Sequence, residues 1–299
     1  MPTAPRTSPR RLALLAAAVA LAAALVVGWL QHDASPHHTL FGTSLPPTVT
    51  GSTSARSALQ MMAQRTGPPE VVRLYSSDLP EPLAGSVSDV GRIPAVVSFK
   101  ADPASVVAGD YDDSLAGWFA SAPADRLTFW AYFHEPEDDV ERGSFTAAQF
   151  RAAWQHIDGL ADEAGNPDLR STVILMCWTL NPQSGRTWTD YVDSDTADVV
   201  AWDCYNHGWK TGAYLPPAEI LGRSVQASAE AGSSWGIAEL GSQLAVGDDG
   251  VGRAAWLESV GAYARDEQAV FVTYFDSPVG GTFELDDEPT QEAFRDLLR

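Results

Sequence analysis

Two glutamates stand out by what surrounds them. Glu135 follows an aromatic run in "TFWAYFHEPEDD", and Glu239 lies in "WGIAELGS", directly after the apolar residues 235–238. A carboxylate at the end of an apolar, strand-like run is expensive to bury unless it is partnered or functional. Two of them facing one cavity are what glycoside hydrolysis requires. One carboxylic acid protonates the departing glycosidic oxygen, while the other stabilises or attacks the developing oxocarbenium carbon. A separation of about 5–5.5 Å would make the reaction a retaining one. The plainer readings are a solvated acidic loop for Glu135 and a structural ion pair for Glu239. The elements that carry them decide between the two.

Beyond residue 37, short β-branched or aromatic runs alternate with longer amphipathic ones. Strands are predicted over residues 38–42, 70–76, 94–100, 127–135, 172–180, 198–206, 234–241 and 269–276. Helices are predicted between most of them. The clearest covers residues 146–164, where Phe150, Trp154, Ile157 and Leu160 recur at three- and four-residue spacing. Ser144 or Thr146 can cap its start, and Gly165-Asn166-Pro167 stops it. Residues 216–231, 252–266 and 288–298 read the same way, whereas 77–93 holds too much Pro and Gly for much regular helix. Eight strands alternating with helices predict an α/β fold, a single (β/α)8 TIM barrel over residues 38–299. The runner-up, a doubly wound sheet, would normally carry a glycine-rich phosphate loop. Neither GxGxxG nor GxxxxGK[ST] occurs.

In such a barrel the chemistry collects where strands end. Strand 3 ends in Ser98-Phe99-Lys100, strand 4 in His134-Glu135, and strand 5 in Trp178-Thr179. Strand 6 supplies Asp203-Cys204-Tyr205-Asn206, strand 7 Glu239, and strand 8 "TYFDSP". Glu135 and Glu239 are the expected catalytic pair. Burial and a second carboxylate would keep Glu135 protonated, and Glu239 would stay ionised beside a donor such as the Tyr205 hydroxyl. His134, Asp203 and Tyr205 are the expected supporting residues. Trp178, Trp209, Tyr274 and Phe275 are candidates for stacking on sugar rings, and Lys100 and Asn206 complete the substrate-binding set. Each also has a structural reading, since Trp fills cores and a strand-end Tyr is often satisfied packing. Glu137-Asp138-Asp139 reads as a solvated loop that could tune Glu135 by repulsion. No metal or cofactor is called for.

The order of these motifs resembles the retaining (β/α)8 glycosidases, whose acid/base ends strand 4 and whose nucleophile ends strand 7. Within that superfamily the likeness is to glycoside hydrolase family 26, which includes endo-β-mannanases with some β-glucanases and β-1,3-xylanases. His134-Glu135 resembles the family's His-Glu pair, and Glu239 in "AELG" its strand-7 nucleophile. Asp203-Cys204-Tyr205 is similar to its strand-6 Asp-x-Tyr, whose hydroxyl would hydrogen-bond the nucleophile. The resemblance implies a β-linked polysaccharide as substrate. It lapses after Pro136, where Glu137-Asp138-Asp139 replaces the usual Asn-Gly pattern, and on strand 8, where Tyr274 and Phe275 stand without a tryptophan.

The net charge of −20 disfavours nucleic acid and anionic membrane surfaces as partners. Arg6, Arg10 and Arg11 precede an uncharged apolar run over residues 12–30. Residues 1–31 therefore read as a signal peptide or a membrane anchor, and 32–37 as a short stalk. Either way the domain is expected outside the cytoplasmic membrane, secreted or tethered, and monomeric. Cys177 and Cys204 fall one residue before Trp178 and Tyr205 on neighbouring strands. If those aromatics point inward, both thiols face the helix layer, where a disulfide and two buried free thiols are both open. Two rivals to the glycosidase remain: a non-catalytic polysaccharide-binding barrel, and a metal-dependent hydrolase built on His134, Glu135, Asp203 and His207.

Overall fold

The computed structural model describes residues 38–45, 54–76, 78–80, 90–192 and 197–299. The N-terminal segment and stalk, and most of residues 77–93, lie outside the described residues. Eight parallel strands close into a barrel in chain order, as the alternation predicts. They are β1 (Leu40–Ser44), β2 (Val71–Tyr75), β3 (Ala95–Phe99) and β4 (Thr128–Tyr132), then β5 (Leu169–Met176), β6 (Val199–Asn206), β7 (Ser234–Ser242) and β8 (Phe271–Tyr274). Pairing of β1 with β8, Leu40 opposite Phe271, closes the ring. At Gly42 the neighbouring chain passes so close that a Cβ would sit 1.6 Å from the Val71 carbonyl oxygen. Only glycine fits there.

Strands buried on both faces read as near-continuous apolar runs, and "AVVSF" of β3 is buried throughout. Inside the barrel, Val71, Val96, Phe129, Ile174, Ala201 and Phe271 form a compact core, with Phe129 and Phe271 4.8 Å apart between ring centroids. Outside it, a larger core packs the strands against the helices. The helices are α1 (Ala55–Thr66), α2 (Pro103–Val107), α3 (Asp112–Ala120), α4 (Glu137–Glu141), α5 (Ala147–Glu163), α6 (Pro217–Glu230), α7 (Val251–Asp266) and α8 (Glu288–Leu297). Thr146 and Gln149 form a capping box at the start of α5, satisfying orphan N–H groups at both positions. Its apolar stripe stacks Trp154 on Trp130 of β4 at 5.5 Å. Truncating Trp130 to Ala would cost about 3–5 kcal/mol.

Several strand bounds differ from the sequence expectation, most of all those of β4 and β5. β4 stops at Tyr132 rather than running to Glu135, because Phe133 (φ 49°) and Glu135 (φ 51°) are left-handed. β5 begins at Leu169 and gives way after Met176 to a 3-10 turn, Cys177–Leu180. The early end of β4 and the turn after Met176 both fall at the mouth of the barrel.

Candidate active site

Glu239 reaches the mouth through an irregularity in β7. Trp202 pairs with Ile237, but the next residue, Asp203, pairs with Glu239, so Ala238 is an extra residue. Trp235, Ile237 and Leu240 pack in the outer core, whereas Ala238 lies in the inner one. Strict alternation from Ile237 would turn Glu239 out toward the helices; the bulge turns it in. There it is 7 % exposed and accepts a 2.5 Å hydrogen bond from the Tyr205 hydroxyl on Oε2. Tyr205 is held by Phe283 and Phe275, at 5.1 and 5.9 Å between ring centroids. Gly241 leaves room for that ring, since a Cβ there would lie 2.9 Å from Tyr205.

Glu135 arrives by a different device. After β4 the chain turns through the left-handed Phe133 and Glu135, a conformation that costs on the order of 1–3 kcal/mol per residue. Hydrogen bonds from Phe133 N–H to the Phe99 carbonyl (2.7 Å) and from Glu135 N–H to the Ile174 carbonyl (3.0 Å) hold the turn between β3 and β5. Burial pushes the Glu135 carboxyl up to about 8, helped by the negative charges of Glu239, Glu137 and Asp138 and opposed by Lys100. A carboxyl shifted this far is protonated at neutral pH. Between them, His134 pairs its Nδ1 with the Ser98 hydroxyl at 2.9 Å. Burial, then Arg73 and Lys100, hold its imidazole well below the usual range, so it is neutral. Lys100 sits 4.6 Å from the Phe133 ring centroid.

Asp203 is buried beside Glu239 with no hydrogen-bond partner on either carboxylate oxygen. Desolvation, then the charges of Glu239 and Glu135, raise it well above the ordinary range. The buried counter-charge is Arg73 of β2, whose guanidinium lies 4.1 Å over the Tyr75 ring and donates to the Leu74 carbonyl. Tyr75 packs edge-on against His134 at 5.7 Å. Its hydroxyl is buried without a hydrogen bond of normal geometry, and burial and the Glu239 charge raise it well above the usual phenol range. Sequence reasoning missed both residues. The signal was present, because one Arg inside the apolar strand "VVRLY" is as anomalous as Glu239 after its own apolar run.

The other expected residues divide. Trp178 stands 47 % exposed on the rim of a cavity of about 260 Å³ that also borders Glu135, Asp203, Tyr205 and His207. Lys100 borders a second cavity, of about 510 Å³, with Phe133, Tyr111, Asp78 and Asp102. Phe275 touches Tyr205. Trp209 is half-buried in the loop after β6, with the Lys210 ammonium 5.5 Å from its ring centroid. Two expectations are corrected. Asn206 is buried on the far side of β6, where its Oδ1 accepts from Gly208 and Leu215 N–H and its Nδ2 donates to the Leu215 carbonyl. Tyr274 lies in the outer core against Phe294, and its hydroxyl donates to the Ser242 carbonyl, so it cannot stack on a ligand in the mouth. Glu137 is likewise no solvated loop residue, being fully buried.

Cys177 and Cys204 form a disulfide, Cα atoms 5.1 Å apart, on the helix side of β5 and β6. The Ser224 hydroxyl of α6 lies 3.1 Å from the Cys177 sulfur. The bridge thus backs Trp178 and Tyr205. Among the described residues, no three His, Cys, Asp or Glu side chains are grouped to hold a metal ion.

No protein-family model matches the chain, and no curated protein sequence matches it. Solved structures do. A glucosidase from Croceicoccus marinus superposes with a TM-score of 0.61 at 15 % identity, over 87 % of this chain and 66 % of that one. A ruminal GH26 endo-β-1,4-mannanase gives 0.56 at 17 %, over 87 % and 62 %. The GH26 domain of an endo-β-mannanase/endo-β-glucanase from Prevotella bryantii gives 0.58 at 10 %, over 88 % and 89 %. The chain therefore spans slightly less than two thirds of the first two. At such identities the likeness is one of fold: the molecule is a (β/α)8 barrel. It is the fold that the two GH26 structures share with this chain.

Proposed function

We propose that this protein is a glycoside hydrolase that cleaves a β-linked polysaccharide by a retaining, two-carboxylate reaction. One observation carries the reading. Glu135, in the turn after β4, and Glu239, at the bulge of β7, stand in unlike environments, Glu135 desolvated with its carboxyl pushed up to about 8 and Glu239 accepting from Tyr205. Unlike environments for two like groups are how one site supplies an acid and a base.

In the first step the Glu135 carboxyl gives its proton to the glycosidic oxygen as the Glu239 carboxylate attacks the anomeric carbon. The carbon–oxygen bond breaks, the alcohol leaves, and a glycosyl ester forms on Glu239. Esterification removes the charge that helps to hold the proton on Glu135, so the Glu135 carboxylate becomes easier to leave ionised. It can then take a proton from water, whose oxygen attacks the anomeric carbon and releases Glu239. The Tyr205 hydroxyl steadies the Glu239 carboxylate before attack and again as it is released, with a charge-assisted hydrogen bond of the stronger kind. One cavity borders Glu135 and Trp178 and another borders Phe133 and Lys100, which favours a polymer over a small glycoside.

The same reading places the protein outside the cytoplasmic membrane, as a secreted or tethered enzyme acting as a monomer on polysaccharide. The basic N-terminus with its apolar run, and the disulfide, which suits an oxidising compartment, support this. The test is reducing-sugar release by residues 38–299 from β-mannan, mixed-linkage glucan, β-1,3-xylan and bacterial exopolysaccharides. Turnover of one polymer, absent in Glu135→Gln and Glu239→Gln, is the expected result. Turnover that survives both changes would remove the two-carboxylate reaction, and binding without turnover would make the barrel a polysaccharide receptor.

A further inference from the structure

Glu137 follows the proposed acid by two residues, and the two-step reaction makes no use of it. It is nonetheless fully buried. Its Oε1 accepts from the Met176 N–H at 2.8 Å and from the Thr179 hydroxyl at 2.7 Å, while Oε2 is buried with no partner. Met176 and Thr179 bracket Cys177 and Trp178, so one oxygen ties the segment carrying Glu135 to the turn carrying Trp178. Arg186, from the loop after β5, adds a second clasp by ion-pairing with Asp138 at 2.5 Å and Glu141 at 2.8 Å.

Resting on the hydrolase reading, we infer that Glu137 is a positioning residue that fixes the acid Glu135 relative to the Trp178 rim of the adjoining cavity. Three features argue for this. Left-handed residues persist only where their surroundings over-determine them, and Phe133 and Glu135 are two of them within three residues. Trp178 is exposed and precedes Thr179 directly, so the hold on Met176 and Thr179 sets where its ring can lie. Lastly, a neutral Gln could accept the same two hydrogen bonds, but a carboxylate adds charge beside the acid.

The charged groups facing Glu135 are Glu239 from β7, Asp203 from β6, Lys100 from the end of β3, and Glu137 and Asp138 from its own segment. Glu137 itself faces Arg186 and Tyr191. After burial and Glu239, the Glu137 charge is the next cause holding the proton on Glu135. Removing that charge alone should let the proton leave at lower pH.

The test compares Glu137→Gln, which keeps an acceptor but no charge, with Glu137→Ala, which keeps neither. The Glu135 carboxyl is followed by carbon-13 NMR against pH and assigned by its loss in Glu135→Gln. In Glu137→Gln its midpoint should fall by about half a pH unit or more, and the alkaline limb of kcat/KM should fall with it. In Glu137→Ala, KM should rise about tenfold, and the rise should not add to that of Trp178→Ala. If Glu137→Ala does not fold, Thr179→Val, which removes one donor, should give a smaller rise of the same kind. An unmoved Glu135 midpoint in Glu137→Gln, or KM effects that add fully with Trp178→Ala, would overturn the inference. A parent protein inactive on every polymer would instead count against the hydrolase reading, and the NMR titration would still judge Glu137.

Discussion

The ends of β4 and β7 deliver the same side chain to the same mouth by unlike means. On β7 an extra residue inside the strand re-aims Glu239, leaving it buried and in contact with the Tyr205 hydroxyl. Past β4, two left-handed residues carry Glu135 off the strand altogether, into a half-buried site crowded by like charges. A bulge keeps the residue in the sheet, where a neighbouring strand can supply a donor. A turn lets it hang where desolvation and like charges outweigh the opposing charge of Lys100. The difference in backbone becomes a difference in what surrounds each carboxyl group.

Variants that treat the two glutamates differently would sharpen this contrast, and identical behaviour would break it. Glu239→Gln should abolish turnover of polymer and of activated aryl glycosides alike. Glu135→Gln should slow polymer hydrolysis about 10²–10⁴-fold, yet spare more activity toward an aryl glycoside whose leaving group needs no proton. Equal losses on both substrates, read as initial rates, would erase the distinction. Tyr205→Phe should lower kcat about 10–100-fold by removing the hydroxyl on Glu239. In the parent, activity should fall as pH rises through about 8, where Glu135 loses its proton. A rate that holds to pH 10 would show that this group is not the acid.

Stability should show the same contrast at smaller scale. The folded-state value of Glu135 lies above its ordinary 4.5, so the folded protein holds a proton that the unfolded chain releases. Its contribution to stability is therefore undiminished below about pH 4.5 and declines as pH rises toward 8. Glu135→Gln should accordingly raise Tm by a few degrees at pH 9 and by less at pH 4. Equal gains at both values would exclude this cause. Smallest of all, Tyr274→Phe should leave kcat/KM within about twofold while costing on the order of 1 kcal/mol of stability, the hydrogen bond to Ser242.

The barrel was legible because its strands announce themselves by composition and its helices by spacing. Residues 146–164 were expected as a helix and Ala147–Glu163 form one. Both glutamates could be singled out because an acid after an apolar run is anomalous. How they face the mouth was not legible. Neither the extra residue at Ala238 nor the left-handed Phe133 leaves a mark in the sequence, since each arises from pairing with neighbouring strands. Asn206 and Tyr274 show a different failure. Adjacent residues of a strand point to opposite faces, so Tyr205 with Asn206, or Phe275 with Tyr274, could not both face in. Glu137 was hidden by company, because an acid among acids reads as solvated until the fold shows the backbone amide and hydroxyl it serves.

The bridge between Cys177 and Cys204 bears on how the protein is made. It closes a loop of 27 residues, and a cross-link of that span restricts the unfolded chain by about 3.5 kcal/mol in the chain-entropy picture. Material expressed in a reducing cytosol, or purified with excess thiol, is thus a different preparation from oxidised material of the same sequence. The reduced form should melt several degrees lower, so assays of this barrel need the thiol content of each batch determined beside its activity.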